Sequence, residues 1–269
     1  MFDRIRNEVL NISYSKLVDL DIPVNTAEMF EVGCKLGFDG IKGDVCPTSD
    51  GKLIMCHDAE FRFDENGRVF ESGNTTGVSV KQICDMTYDE CTQLEYELES
   101  SKAQLGYYAK VVGLEDLIRI CHIHSKFAYI TVRDKQIQTC VDEVYRLLLK
   151  YNMTNQCIIN SFTYETLKTV REKDENICLS HVQELDIPVS KEMIDTALEL
   201  KKCVVCAYWS VNKDGVFDEM YEKSKEAMEY AKEKGVKLFL AFATNKENHK
   251  LAIERGFTGF QCQRSEVLV

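Results

Sequence analysis

The chain has 269 residues, 45 % hydrophobic and 29 % charged, enough apolar side chain for a sizeable core and too much for a disordered, collagenous or low-complexity class. Lys and Arg number 33 against 44 Asp and Glu, a net charge of −11, which argues against general nucleic-acid or anionic-membrane binding because phosphate contact needs a basic field. No run approaches the length of a membrane-spanning helix. The charged opening MFDRIRNEVLNISYSK lacks the pattern of a secretory leader, so the expected location is cytoplasmic.

Only three prolines occur and no Gly/Ser-rich linker interrupts the chain, so residues 1–269 read as a single domain. A weak strand is expected at Val9–Tyr14, then a helix at Thr26–Leu36 with apolar residues at helical spacing, then strands at Gly40–Val45 and Leu53–His57. From Asp58 to Val112 the alternation lapses. A polar stretch, DENGRVFESGNTTG, is followed by the helix-like KQICDMTYDECTQLE, and 58–112 reads as an inserted loop or cap region. Beyond it, strands are expected at Phe127–Arg133, Cys157–Ser161, Ile177–Val182, Val204–Trp209 and Lys237–Phe242, with a short one at Gly259–Cys262. Helices separate them at Leu114–His122, Thr139–Tyr151, Thr163–Lys173, Ser190–Leu200, Met220–Lys234 and Lys246–Arg255. Repeated strand–helix alternation over this length predicts an α/β fold, a TIM (β/α)8 barrel with a loop insertion after the third strand. No G-x-G-x-x-G follows the first strand, which argues against dinucleotide binding.

The 12 cysteines are mostly single among apolar residues and read as buried free thiols. The one close pair, Cys203 and Cys206, has an odd offset in a β-branched run, which sends the two thiols to opposite faces of a strand.

Barrel sites are built at the carboxyl ends of strands. There the period of two places Lys42 with Asp44 on one face and Thr131 with Arg133 on another, and the run MCHD ends in His57 and Asp58. Two bases, an acid and a histidine would then meet at one mouth.

The run GFDGIKGDVCPTSDGKLIMCHD, Gly37–Asp58, resembles the signature of the glycerophosphodiester phosphodiesterase family: Gly-x-Asp-Gly-Ile-Glu-x-Asp-Val, Thr-x-Asp-Gly, then an apolar strand ending His-Asp. Val24-Asn25-Thr26, MTYDECTQLE, VVGLEDLI, ITVRDK, INSF and GFTGFQCQRSEVL resemble later and earlier family segments in the same order. The resemblance implies a TIM barrel that hydrolyses glycerophosphodiesters to an alcohol and glycerol 3-phosphate, using a divalent cation (Ca²⁺ or Mg²⁺) held by carboxylates and two histidines as general acid and base.

Several family positions carry other residues here. The first histidine falls on Ser15-Lys16-Leu17, and no histidine precedes His57. The Glu of Glu-x-Asp is Lys42, its Asp is kept as Asp44, a further carboxylate is Thr131, and the family's lysine is Arg133. One acid/base group, His57, and one carboxylate ligand, Asp44, therefore remain. A hard cation needs about six or more oxygens, so no cofactor is expected and Asp44 is a doubtful metal ligand. Glu60, Asp64 and Glu65 of the insertion are the candidates for substitute ligands. Lys42 would sit against Asp44, and Lys42, Arg133, Lys16 and His57 would form an anion pocket for a small phosphate ester such as a glycerophosphodiester. Two readings follow: a divergent phosphodiesterase of glycerophospholipid metabolism resting on His57, or an inactive barrel binding a phosphate-containing ligand through Lys42 and Arg133. Neutral drift with no ligand is the alternative to the anion pocket.

Overall fold

Runs such as FAYITV and CVVCAY are buried and mainly apolar on both faces, and a strand of that kind must be covered on both sides. A closed parallel barrel inside a ring of helices does this. The computed structural model describes residues 1–20, 22–70, 79–96, 109–133, 137–211, 214–243 and 245–268. Its strands, in chain order, are β1 (Leu10–Ser13), β2 (Gly40–Pro47), β3 (Leu53–Met55), β4 (Glu60–Phe63), β5 (Ser79–Gln82), β6 (Phe127–Val132), β7 (Cys157–Ser161), β8 (Cys178–Val182), β9 (Cys203–Tyr208), β10 (Leu238–Ala243) and β11 (Phe257–Cys262). Strands β1, β2 and β6 to β11 pair in parallel around a ring that closes between β11 and β1. This is the TIM (β/α)8 barrel expected from the alternation.

The period of two sorts each strand into an inner and an outer set. Leu10, Ile12, Tyr129, Ile158, Val204, Cys206 and Phe239 pack inside the barrel, while Ile41, Val45, Ile130, Ile159, Val205 and Leu240 pack against the helices. Cys203 belongs to the outer layer and Cys206 to the inner. All 12 cysteines are free, and Cys84 alone is exposed. Two inward positions need glycine: a Cβ on Gly40 would lie 2.3 Å from the Phe127 ring, and one on Gly259 2.3 Å from Phe239. The two phenylalanines fill the space those side chains would have taken. The helix Phe2–Asn7, too short to show a period in the sequence, adds Ile5 to the inner cluster.

Leu53–His57 is corrected by the structure. Its core, β3, runs antiparallel to the end of β2, pairing Val45 with Met55 and Pro47 with Leu53, and lies outside the ring of eight. The cause is the turn between them. Thr48 N–H donates to Lys52 O, Gly51 takes a left-handed φ of 75°, and a connection that short cannot make the helical crossover a parallel neighbour requires.

The region 58–112 is also more structured than a polar loop. β4 and β5 form an antiparallel hairpin, and Phe61, Phe63, Val69, Ile83, Met86 and Tyr96 join Ile54 and Cys56 in an apolar cluster of their own. The helix expected over KQICDMTYDECTQLE shrinks to Tyr88–Thr92. Thr87 and Glu90 form a reciprocal capping box that starts it late, while Lys81 and Gln82 belong to β5. Residues 71–78 and 97–108 of this region lie outside the described residues. Among the described residues, no helix is long and apolar enough to cross a membrane.

Candidate active site

The long strand β2 carries the pattern I-K-G-D-V, whose alternate members face inward. Lys42 and Asp44 consequently share the barrel interior, where they are 4 % and 1 % exposed. Lys42 Nζ donates to Asp44 Oδ1 at 2.6 Å and lies 4.5 Å from the centre of the Tyr14 ring, an aromatic face that suits an organic cation. Asn25, in a left-handed conformation of φ 58°, ties this end of β2 to the loop after β1: its N–H donates to Ser15 O, and its Oδ1 accepts from Asp44 N–H at 3.2 Å. Asp44 Oδ2 is buried without a donor.

Burial pulls the Lys42 ammonium below the usual lysine range, with Asp44 opposing and Arg133 adding to the shift. For Asp44, burial favours the protonated form, but Lys42 outweighs it, helped by Arg133, and the carboxyl lies below its ordinary value. At 2.6 Å the two groups form a buried salt bridge. Tyr14, half-buried and near Asp44, has its hydroxyl pushed well above the usual range, by desolvation first.

His57 reaches this site from outside the ring, because the β2–β3 hairpin returns the chain to the carboxyl end of β2. Its Nδ1 lies 2.8 Å from Asp58 Oδ1, and its Nε2 lies 2.7 Å from the Arg133 guanidinium. A guanidinium only donates, so Nε2 is the acceptor, and Nδ1 carries the proton toward Asp58. Arg133, just past β6, and His57 together separate two spaces. Inside lies a cavity of about 30 Å³, bounded by Tyr14, Lys42, Asp44, Thr131, Tyr208 and Gln261 as well as this pair. Outside lies a groove of about 680 Å³ between the end of β2 and the β4–β5 hairpin, which Asp58, Glu60, Gln82 and Ile83 also line. The β4–β5 hairpin thus forms one wall of the groove at His57.

Below the cavity a buried polar layer closes the barrel. Tyr129 Oη donates to Asn160 Oδ1 (2.9 Å) and accepts from Gln261 Nε2 (3.1 Å), and Asn160 Nδ2 donates to Thr131 Oγ1 (3.2 Å). Thr131 stands beside Asp44 in the β2–β6 register.

Of the residues singled out in the sequence, Lys42, Asp44, His57 and Arg133 meet at the mouth. Lys16 is on the loop after β1, half-buried and outside the lining of both spaces; Tyr14, two residues earlier, is the side chain that reaches in. Tyr14, Tyr208, Asn160 and Gln261 were not anticipated; Tyr208, Asn160 and Gln261 each stand at an odd offset from an apolar residue of the outer face (Val205, Ile159 and Phe260), whereas Tyr14 lies beyond its strand. None of His122, His124, His181 or His249 lines the cavity. His124 bonds to Glu31 and His249 to Asn11.

The donors do not fit a divalent cation. Asp44 is the one carboxylate facing the cavity, its Oδ1 is already paired with an ammonium, and the Thr131 hydroxyl is engaged by Asn160. Of the candidate substitutes, Glu60 pairs with Arg62 and Gln82, Asp64 caps its own turn through the N–H groups of Asn66 and Arg68, and Glu65 is exposed. No cluster of three or more His, Cys, Asp or Glu able to hold a metal occurs among the described residues.

Comparison with known proteins agrees with this architecture. Residues 19–266 match the model of the Glycerophosphoryl diester phosphodiesterase family. A glycerophosphodiester phosphodiesterase of Bacillus subtilis is 28 % identical over 206 residues, covering 72 % of this chain and 67 % of the relative. One from Caldanaerobacter subterraneus is 23 % identical over 257 residues, covering 93 % and 92 %. Among solved structures, an Oleispira antarctica phosphodiesterase in complex with the product sn-glycerol-3-phosphate superposes with a TM-score of 0.73 at 13 % identity, covering 97 % of this chain and 96 % of that one.

Proposed function

Because the chain belongs to the glycerophosphoryl diester phosphodiesterase family, we propose that its barrel mouth takes the phosphate of a glycerophosphodiester, held by Arg133 with Lys42 behind it, and that hydrolysis rests on His57. The carrying observation is the Arg133–His57 contact of 2.7 Å at the junction of the inner cavity and the outer groove. A phosphate oxygen competes with His57 Nε2 for the guanidinium, and a charge-assisted bond to phosphate is the stronger of the two. Binding then frees the Nε2 lone pair beside the reacting phosphorus. There it accepts the proton of an attacking hydroxyl, the substrate's own glycerol hydroxyl or water, and returns it to the departing alkoxide. A new P–O bond replaces the P–O bond to the alcohol. Asp58 holds the tautomer that leaves Nε2 free to do so. The inner cavity has room for little more than a water, so the ligand enters from the groove, and its alcohol portion lies against the inserted region.

A second reading is a barrel that binds a phosphate ester without cleaving it. It is favoured by the lone histidine of the lining, where the acid and base roles would otherwise be divided between two groups. Glycerophosphocholine and glycerophosphoethanolamine turnover, measured in EDTA, Ca²⁺ and Mg²⁺ with His57→Ala as control, separates the two. EDTA-resistant turnover that vanishes in His57→Ala is the expected result. No turnover, with sn-glycerol-3-phosphate binding abolished by Arg133→Ala, assigns the second reading. Turnover indifferent to both His57 and Arg133 refutes the site.

A further inference from the structure

We infer that Lys42 is the built-in cation of the barrel mouth: its ammonium supplies, from within the chain, the positive charge that a divalent ion would bring, and the mouth takes up no divalent metal. The inference rests on the reading of the mouth as the ligand site, and deepens it by naming the charge that faces the phosphate.

Lys42 and Asp44 are fixed two residues apart on one inward face of β2, and the ammonium lies 2.6 Å from Oδ1. A lysine buried to this degree is held charged only by a partner, and Asp44 is that partner. Any divalent ion bound to Asp44 would stand within a few ångströms of the ammonium, at low dielectric, and be repelled. The remaining wall is also wrong for a hard ion. Tyr14 turns the face of its ring to the ammonium, and Thr131, beside Asp44 in the register, is neutral. Lys42 and Arg133 against the single carboxylate of Asp44 leave the cavity lining with one net positive charge when His57 is neutral. A phosphodiester carries one negative charge, so it is neutralised here without a metal. A carboxylate cage would instead present an excess of negative charge and would need the ion before it could accept an anion.

The test reads metal uptake without substrate. The EDTA-stripped wild-type protein is titrated with Ca²⁺, Mg²⁺ and Mn²⁺ by calorimetry, and its unfolding midpoint is measured in EDTA and in each ion. No uptake and no shift is the expected result. Uptake near one ion per chain that Asp44→Asn abolishes would overturn the inference. The double variant Lys42→Glu/Thr131→Glu places two further carboxylates beside Asp44. With the ammonium gone, this variant should gain Ca²⁺ binding and a midpoint rise of about 5 °C at a hundredfold excess over Kd. A folded double variant indifferent to Ca²⁺ would also overturn it. The wild-type titration needs no variant to fold, so it decides alone if the double variant is insoluble. Absence of turnover would refute the hydrolytic reading above and leave this inference standing.

Discussion

Breaking the Lys42–Asp44 pair from either side should destabilise the barrel by similar amounts but with opposite dependence on pH. In Asp44→Asn the ammonium, 4 % exposed, loses the carboxylate it is paired with and keeps the Tyr14 ring as a favourable neighbour. Removing one partner of such a pair costs about 3–5 kcal/mol. The cost has a ceiling, because the lysine can shed its proton: from an ordinary pKa of about 10.4, that takes about 4.6 kcal/mol at pH 7 and about 1.9 at pH 9. In Lys42→Met the stranded group is Asp44, 1 % exposed and with Oδ2 already lacking a donor. Protonating it from an ordinary pKa of about 3.9 takes about 4.2 kcal/mol at pH 7 but only about 1.5 at pH 5.

The signs follow from linkage. With Asp44 gone, the folded lysine pKa is depressed, the unfolded chain binds the extra proton, and stability rises with pH up to the ordinary lysine value. With Lys42 gone, the buried carboxyl pKa is raised, the folded chain binds the extra proton, and stability falls as pH rises. The double variant Lys42→Met/Asp44→Asn should recover most of the loss, since replacing a buried ion pair by neutral groups is often neutral or stabilising. Urea unfolding followed by the single Trp209, fully buried against Phe217 and Phe257, gives the measurement at each pH. At pH 7, single losses of this size move a midpoint by roughly 6–10 °C in a thermal scan of a domain this long. Two single variants with the same pH trend, or a double variant as unstable as both losses added, would refute the ion-pair account.

Thiol titration checks the packing. In the native protein Ellman's reagent should react rapidly with one thiol, Cys84, and after guanidinium unfolding with all 12. A second fast native thiol removed by Cys46→Ser would show that the groove wall opens. Histidines give an acid limb to stability. Burial lowers the pKa of both His181 and His249, so below about pH 6.5 the unfolded chain binds protons that the folded one refuses, and stability falls as pH drops toward the folded values. His249→Gln, which can keep the bond to Asn11, should flatten that limb in denaturant midpoints measured from pH 7.5 to 5; an unchanged slope would remove His249 from the account.

The barrel was legible because its strands are apolar on both faces, and it is the helices between them that show a 3.6 period. β3 was misplaced because Leu53-Ile54-Met55 has the same composition as a ring strand. What distinguishes it is the short Pro47–Lys52 connection, a signal of length and turn chemistry rather than of hydropathy. The segment after β3 reads as polar because its apolar residues alternate, as in Glu60-Phe61-Arg62-Phe63, and only pairing with β5 shows that both phenylalanines face one cluster.

In the site, the inward face of Lys42 and Asp44 follows from the strand period alone. Tyr14 follows β1 and Tyr208 ends β9, three strands away around the ring, and no local pattern brings them together before the barrel closes. Lys16 lies on a loop, where spacing fixes no side-chain direction, and Tyr14 is the residue of this segment that lines the cavity. His57 shows the converse. Although β3 lies outside the ring, a hairpin that leaves the end of β2 and returns to it delivers the residue after β3 to the mouth where Asp44 lies. Residue spacing within Gly37–Asp58 constrains that return directly, which is why the site's geometry there survives an error in its topology.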